Sequence, residues 1–237
     1  MKQQEKNGPA AFVPLLRTNA LLRNLTDEQI YRIASFCEED VWPRKTCNIS
    51  KARIFGSFHM ILSGRMKMYR VDPESGREFT LFLLKKNDVF DVIRLLNGTG
   101  HEVFYETIDK VHLLSLPNPL MLDLLKEIPA MNQNLLPYLA GQMRCLEEYA
   151  ANLTLADISK RLARLLLNNI NENSRELENI NDLSNEELAN LIGSTRAVVN
   201  RHLQEFKAEG IVSLGRESLR VNDPQLLLHK AYPGIEK

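Results

Sequence analysis

The sequence is poor in several features that would place it in a specialised class. Of its 237 residues only three are cysteines and one is tryptophan, and 30 basic and 30 acidic residues leave no net charge. The widely spaced Cys37, Cys47 and Cys145 do not form a disulfide framework or a thiolate cluster for zinc or iron–sulfur. A chain without net charge also has no overall basic excess, so any attraction to nucleic acid must be local.

Long apolar runs are missing as well. No run reaches the roughly 18 residues of a membrane span. The first eight residues are polar and lack the apolar core of a secretion signal, so we expect a cytoplasmic protein without a membrane partner. The shares of hydrophobic residues (44%) and charged residues (25%) are ordinary for a globular protein, and the length suits one large or two moderate domains.

One segment near the C-terminus predicts two helices joined by a tight turn. Ser184 and Glu187 have the spacing of a capping box, which would begin a short helix at Asn185. Gly193 permits the positive φ that ends this helix, and Thr195 is a candidate N-cap for the next one. The pattern is typical of a helix-turn-helix, although a packing corner of an unrelated fold remains an alternative.

The second of these helices is amphipathic. Val199, Leu203 and Phe206 recur at spacings of four and three and therefore share a face that we expect to pack inward. Gly210 ends the helix, and two β-rich runs flank residues 215–217, which predicts a hairpin, or wing. The candidate DNA contacts in and after this helix are Thr195, Arg196, Ala197, Asn200, Arg201, Gln204, Lys207 and Arg216.

The first half of the chain has a different sequence pattern. Thr26 is positioned to open a helix that runs through Phe36, whereas residues 41–116 hold short β-rich runs separated by turns. The clearest of these runs are Phe58–Leu62, Arg65–Arg70, Phe79–Leu84 and Val111–Leu116. Short strands at regular spacing indicate an antiparallel sandwich or barrel.

A heptad pattern follows the β-rich region. Its apolar residues recur at spacings of three and four, as in the seam of a two-stranded coiled coil, which favours a homodimer over a helix that packs on its own domain. The seam consists of Leu136, Leu139, Met143, Leu146, Ala150 and Leu153. We expect Pro137 in the first turn of this helix with Asn134 as its cap, because a proline deeper inside removes a hydrogen bond. Asp157 can cap a following helix, Ile158 to Asn171, after a hinge around residues 153–157.

Taken in this order, the elements resemble the cAMP receptor protein/FNR (Crp/Fnr) superfamily of bacterial transcription regulators over residues 15–222. The resemblance lies in the segment Ile61–Tyr69 (ILSGRMKMY), in Gly76-Arg77-Glu78, in residues 87–90 (NDVF), and in the motif from Gly193 to Arg201. It implies an α+β fold with an N-terminal antiparallel β-roll like a cyclic-nucleotide-binding jelly roll, a long dimerisation helix, and a C-terminal winged helix-turn-helix. We expect these domains at residues 1–128, 129–156 and 157–237.

The resemblance also implies a function. The expected protein is a homodimeric, sequence-specific DNA-binding transcription regulator whose partners are a pseudo-palindromic site in double-stranded DNA, a small-molecule effector and RNA polymerase. We do not expect an enzyme, because the sequence shows no Ser/His/Asp order, metal cluster or phosphate-binding loop. A ligand-binding interaction protein that does not bind DNA remains an alternative from another class.

The sequence departs from cAMP-binding members at the positions that hold the nucleotide. Asp91-Val92 stands where those members have Gly-Glu, and residues 101–103 (HEV) lack the arginine that would pair with the cyclic phosphate. Ala150 and Ala151 lie about where adenine-reading hydroxyls are expected. We therefore expect no cAMP binding, and no iron–sulfur cluster, since the four-cysteine motif of the oxygen-sensing members is absent.

An effector other than cAMP is the remaining expectation. The candidate effector residues are Phe90, Asp91, Leu95, Leu96, His101, Phe104, Tyr105, Met143 and Glu147. Such a mostly apolar set suits a small organic molecule, or haem bound by His101 or His59 in a gas or redox sensor. No other metal site is expected, and a regulator without an effector also stays possible at this point.

On the DNA side, the resemblance implies that Arg196 contacts a phosphate and that Arg201 contacts a guanine, the commonest specific contact of an arginine. Between these arginines the family usually has a glutamate that accepts from cytosine. This chain has Ala197, which cannot accept. We expect discrimination at that base to depend on Asn200 or on packing of the Ala197 methyl group against thymine.

Overall fold

The computed structural model describes residues 8–47, 54, 56–100, 102–171, 174, 176–215 and 218–234. The chain divides into two compact units. The first comprises Met1–Arg70 and Phe82–Arg144, and the second comprises Val71–Leu81 and Cys145–Lys237. Within the described ranges, none of the helices is long and apolar enough to cross a membrane.

The first unit contains most of the strands. Its elements are α1 (Pro9–Leu16), α2 (Asp27–Ser35), β1 (Glu38–Trp42), β2 (Ser57–Ser63), β3 (Met66–Val71), β4 (Glu78–Leu84), β5 (Val89–Phe90), α3 (Val92–Asn97), β6 (Phe104–Thr107), β7 (Val111–Pro117), α4 (Asn118–Glu127) and α5 (Pro129–Leu155). The last residue of β3, the first half of β4 and the last part of α5 belong to the second unit.

The strands form a four-stranded sheet in the order β1-β7-β2-β5 and a three-stranded sheet in the order β4-β3-β6. Pairing is antiparallel between β1 and β7, between β2 and both of its neighbours, and between β3 and β6. Met60 lies opposite Leu114, and Met68 lies opposite Tyr105. The predicted antiparallel fold of this region is therefore confirmed.

The four-stranded sheet is buried on both faces. On β7, Leu113 belongs to a core shared with the three-stranded sheet, whereas Leu114 belongs to a core formed with α1, α2, α4 and the start of α5. On β2, Ile61 and Met60 divide between the two cores in the same way. Because successive side chains of a strand point to opposite faces, a strand covered on both sides reads as a continuous apolar run. This explains why the sequence of β2 shows no alternation of polar and apolar residues.

The helix α2 begins as predicted. The Thr26 hydroxyl accepts from the Gln29 backbone N–H at 3.2 Å, and the Gln29 side chain accepts from the Thr26 backbone N–H at 3.0 Å. These bonds satisfy two of the donors that a helix leaves free in its first turn. Ile30, Ile33 and Ala34 form the buried face of the helix.

The long helix α5 differs from the prediction at its N-terminal end. It begins at Pro129, so Pro137 lies inside the helix rather than in its first turn. Asn134 is not a cap, because its buried amide donates to the carbonyl oxygens of Leu21 and Arg23. Proline has no backbone N–H, so a carbonyl group in the preceding turn of the helix loses its hydrogen-bond partner. Because Pro137 is exposed, this carbonyl group lies on a face of the helix that is open to water.

The second unit contains the C-terminal elements. They are α6 (Ile158–Leu167), α7 (Asn185–Ile192), α8 (Arg196–Ala208), β8 (Val212–Gly215), β9 (Ser218–Val221) and α9 (Pro224–Ala231). Asp157 caps α6 as predicted, because its carboxylate accepts from the Lys160 backbone N–H at 2.9 Å. The predicted end at Asn171 is wrong. The helix stops at Leu167 because the following residues form a bridge, with the Asn171 N–H bonded to the Glu176 carbonyl oxygen at 2.8 Å.

Candidate nucleic-acid interface

The helix-turn-helix is built by the capping signals that the sequence shows. The Ser184 hydroxyl accepts from the Glu187 backbone N–H at 3.2 Å, and the Glu187 carboxylate accepts from the Ser184 N–H at 2.7 Å. Gly193 ends α7 with φ of 64°. Thr195 takes the extended conformation of an N-cap residue before α8, but its hydroxyl accepts no capping hydrogen bond among the described residues. Thr195 therefore occupies the N-cap position as predicted, but its side chain does not form the hydrogen bond that is typical of this position.

The two faces of α8 differ sharply in burial. Val199, Leu203 and Phe206 are almost completely buried and pack into the second unit. Seven of the eight candidate DNA contacts are described, and all seven side chains are exposed: Thr195, Arg196, Ala197, Asn200, Arg201, Gln204 and Lys207. The eighth, Arg216, lies outside the described residues. A polar face that is open along the whole helix is what a recognition helix must present to a groove of DNA.

Three polar contacts on this surface were not predicted from the sequence. The Asn185 amide at the start of α7 donates to the Asn200 side-chain oxygen at 3.1 Å. Glu205 lies 3.7 Å from Arg201 Nε and 2.7 Å from His202 Nδ1, so its carboxylate faces both side chains. Glu205 is four residues after Arg201, the spacing at which opposite charges meet on a helix, and that spacing could have revealed the pair.

The wing lies beside this surface. In the hairpin, Val212 pairs with Val221 and Gly215 pairs with Ser218. The backbone N–H of Leu219 donates to a carbonyl oxygen in the segment before α7, at 2.9 Å, which joins the wing to the helix-turn-helix. A cleft of about 310 Å³ lies between α7, α8 and the wing. The residues at the predicted tip, 216 and 217, lie outside the described part of the chain.

The candidate effector residues divide into a buried and an exposed group. Phe90, Asp91, Leu95 and Tyr105 are buried, and the rings of Phe90 and Tyr105 lie 5.1 Å apart. The other described members, Leu96, Phe104, Met143 and Glu147, have exposed side chains. His101 lies outside the described residues.

Buried polar groups meet around Asp91. This residue is 4% exposed and has a left-handed φ of 64°. Burial raises the pKa of its carboxyl group to about 6, although the nearby Arg94 guanidinium opposes the shift, with 3.5 Å between Arg94 Nε and Asp91 Oδ2. Burial and the Asp91 charge also raise the pKa of the Tyr105 hydroxyl. That hydroxyl has no hydrogen-bond partner among the described residues.

Arg94 is the member of this group that the sequence analysis missed. It lies one helical turn after Asp91, on the short helix α3, and its side chain is 20% exposed. The family resemblance instead places the arginine of a cyclic-phosphate site at residues 101–103, which have none. The spacing of three residues from Asp91 was the available signal, because residues three apart are neighbours on a helix.

His59 does not fit the role of a haem ligand. Its ring is 1% exposed and stacks on the Phe90 ring at 4.6 Å. Nε2 lies 3.1 Å from the Ile54 carbonyl oxygen, which can only accept, so this nitrogen carries the proton, and Nδ1 accepts from the Ser115 hydroxyl at 2.8 Å. With both nitrogens bonded, neither can bind iron. Of the two candidate haem ligands, His101 remains, and it lies outside the described residues.

The cysteines lie in unrelated environments. Cys37 is largely buried, and burial raises the pKa of its thiol to about 12, so the reactive thiolate is disfavoured there. Cys47 and Cys145 are exposed. Among the described residues, no group of three or more His, Cys, Asp or Glu side chains could hold a metal ion.

Comparison with known proteins gives a consistent result. Residues 160–230 match the model of the Crp-like helix-turn-helix domain. The global nitrogen regulator of Nostoc sp. is 31% identical over 175 residues, which cover 71% of this chain and 78% of that protein. The CRP-like cAMP-activated global transcriptional regulator of Mycobacterium tuberculosis is 27% identical over 177 residues, which cover 73% of this chain and 79% of that protein.

Solved structures share the fold. A mutant of CooA from Carboxydothermus hydrogenoformans has a TM-score of 0.71 at 23% identity and covers 90% of this chain and 96% of its own. A transcriptional regulator of the Crp/Fnr family from Eubacterium rectale has a TM-score of 0.69 at 22% identity and covers 89% of this chain and 97% of its own. The chain belongs to the Crp/Fnr family of transcription regulators, as the sequence motifs predict. The predicted α+β fold with a winged helix-turn-helix is confirmed.

The buried His59 predicts a specific dependence of stability on pH. Burial lowers the pKa of its imidazole from 6.5 to about 4, so between these values the unfolded chain binds a proton that the folded chain does not. This group therefore costs stability as the pH falls through that range, by up to about 3 kcal/mol. The free energy of unfolding of the unmodified protein, minus that of His59→Gln, should decrease as the pH is lowered, as measured by urea denaturation.

The matched control is His229→Gln, which changes an exposed histidine on α9. This variant shows the effect of replacing a histidine by glutamine at an exposed position. A difference that stays constant with pH for His59→Gln would contradict the neutral, doubly bonded state of His59.

Proposed function

We propose that this member of the family is a homodimeric, sequence-specific DNA-binding regulator that contacts pseudo-palindromic sites through the exposed face of α8. The observation that carries the proposal is the contrast on this helix between a buried apolar face and an open polar face that includes Arg196 and Arg201. Cationic and amide side chains at the start of a recognition helix are suited to phosphates and base edges. Activity as an enzyme is not part of the proposal, since the relatives are transcription regulators.

Arg201 is the residue to which we assign base discrimination. Its side chain is 64% exposed, and its nearest carboxylate, Glu205, is 3.7 Å away, so the guanidinium can turn toward a base. Ala197, one turn earlier, offers only a methyl group. In the exposed Asn200–Asn185 pair, the Asn200 side-chain oxygen accepts, which leaves its amide hydrogens for an acceptor on the neighbouring base.

Arg201→Ala should remove discrimination at one base pair in each half-site, by about 1–3 kcal/mol. The measurement is competition binding against a library that varies each position of the selected site. Lys207→Ala is the control, because loss of a phosphate contact should weaken all sequences alike and reduce the salt dependence. Equal loss on all sequences for Arg201→Ala would contradict the assignment. Absence of any sequence-dependent binding by the unmodified protein would favour the interaction protein that does not bind DNA.

The dimer is proposed from the seam of α5. Along this helix Leu136, Met143 and Leu146 are 68%, 63% and 42% exposed in the single chain. Apolar side chains repeated at heptad spacing on an open face are suited to a second copy of the same helix. A two-fold axis along this seam would also match the symmetry of a pseudo-palindromic site.

The seam is tested by placing a charge in it. Leu146→Glu should convert the protein to a monomer in sedimentation experiments, because two buried carboxylates would face each other across the axis. Ala151→Glu, an exposed change outside the seam on the same helix, should leave the dimer intact. A dimer that persists in Leu146→Glu would show that another surface joins the copies.

We further propose that a small polar effector other than cAMP binds beside Asp91. Two buried polar atoms support this: the Tyr105 hydroxyl, which has no hydrogen-bond partner among the described residues, and Asp91 Oδ2, which faces Arg94 Nε at 3.5 Å but accepts no hydrogen bond in that part of the chain. Burying such groups without hydrogen bonds costs free energy, which a ligand that donates to Asp91 and accepts from Tyr105 would recover. An effector-free regulator is the competing proposal.

The effector is tested by thermal unfolding with the low-molecular-weight fraction of a cell extract as the probe. The extract should raise the Tm of the unmodified protein, whereas cAMP should not. Tyr105→Phe should raise the Tm without extract, since it removes an unpaired buried hydroxyl, and should abolish the further increase with extract. Glu102→Gln, which changes an exposed carboxylate nearby, is the control. No increase with extract for the unmodified protein would favour the effector-free regulator.

A further inference from the structure

The turn between α7 and α8 is bonded to residues outside these two helices. A helix leaves its last carbonyl oxygens without partners inside the helix. At the end of α7, the carbonyl oxygen of Leu191 lies 2.5 Å from the Tyr149 hydroxyl, and that of Ile192 accepts from Arg161 Nη1 at 2.9 Å. Tyr149 lies near the end of α5, so its hydroxyl joins the long helix directly to the helix-turn-helix.

The end of the β3–β4 hairpin reaches the same turn. Arg77 donates to the Ser194 carbonyl oxygen at 3.3 Å. The ring of Phe79 stacks on the ring of Tyr149, with 5.4 Å between centroids and 27° between planes. The Tyr149 hydroxyl also lies 3.1 Å from the Thr80 carbonyl oxygen, so a single hydroxyl proton is shared between the hairpin and α7.

Side chains from the hairpin and from the end of α5 pack closely around Gly193. A Cβ atom built there would lie 2.9 Å from Leu153 Cδ2 and 3.3 Å from Phe79 Cε2. The residue also has φ of 64°, which L side chains rarely adopt. The turn is therefore closely packed against both the hairpin and the end of α5, in addition to its hydrogen bonds.

We propose that Arg77, Phe79 and Tyr149 are positioning residues, here named the turn clamp, which fix α8 relative to the C-terminal end of the long helix α5. The turn clamp contacts backbone carbonyl groups and the glycine of the turn. It therefore fixes the position of the recognition helix α8, although the clamp residues themselves do not contact DNA. This inference rests on the proposed function, because position matters only if two copies of α8 bind one DNA site.

The consequence concerns the distance between two recognition helices. In a dimer joined along α5, each α8 is placed by its connection to its own copy of that helix. Two half-sites about one DNA turn apart, about 34 Å, are bound together only if the helices keep this separation. A rigid clamp makes binding sensitive to the spacing of the half-sites, and a loosened clamp allows several separations at a cost in affinity.

The experiment measures DNA affinity for sites whose half-sites are identical but whose central spacer is shortened or lengthened by about 2 base pairs. The unmodified protein should bind the altered spacers much more weakly than the selected site. In Tyr149→Phe, and more strongly in the double variant with Phe79→Leu, the penalty for altered spacing should be at least about tenfold smaller. Tyr149→Phe keeps the ring and removes only the shared hydroxyl.

Controls separate the clamp from charge and from folding. Arg77→Ala should also reduce the spacing penalty, whereas Arg70→Ala removes an exposed positive charge from the same hairpin and should not. The Tm of each variant shows whether it is folded. Discrimination at the base assigned to Arg201 should be unchanged in the clamp variants, because α8 itself is intact.

A spacing penalty in folded Tyr149→Phe and Arg77→Ala equal to that of the unmodified protein would overturn the clamp. Loss of discrimination at the Arg201 base would also overturn it, since the residues would then support the recognition helix itself. If the unmodified protein binds all spacings alike, the dimeric DNA-binding function fails, and the clamp fails with it.

Discussion

The reversal of the chain at Gly193 is the constraint on which the DNA-binding half depends. The turn must bring the apolar faces of α7 and α8 together, and glycine takes the required φ of 64° without strain while fitting closely between Leu153 and Phe79. With Val199 and Phe206 buried on one side, the polar residues of α8 are left on the other side. An exposed recognition face is thus a consequence of how the turn is packed.

The N-terminal half depends on a sheet that is buried on both sides. Because β2 and β7 contribute side chains to two cores, few polar groups are buried beside them, and a buried polar group needs a specific partner. His59 is held neutral in this way by Ser115 and Ile54. Around Asp91 the buried polar groups are not all hydrogen-bonded, because the Tyr105 hydroxyl has no partner among the described residues. Several buried polar groups that meet without complete hydrogen bonding are a reason to look for a ligand there.

Membership of the Crp/Fnr family defines the fold and the class of regulator, but it does not identify the molecule to which this regulator responds. The M. tuberculosis relative is described as cAMP-activated, and in this chain Arg94 Nε lies 3.5 Å from Asp91 Oδ2. The spacing of Asp91 and Arg94 is visible in the sequence, but the short helix α3 and the left-handed φ of Asp91, which bring the two side chains together, are not. The candidate effector site is accordingly the part of the molecule least accessible to sequence reasoning.

The sequence by itself determined the local elements: the capping pairs Thr26–Gln29 and Ser184–Glu187, the turn at Gly193, and the buried face of α8. Each depends on residues three or four apart, whose interactions are fixed by helix geometry. Only the tertiary structure decided that α5 continues through Pro137, since Asn134 bonds to carbonyl groups more than 100 residues away. It also decided that Tyr149 and Phe79 meet at the helix-turn-helix, because contacts between distant segments depend on packing that no local pattern records.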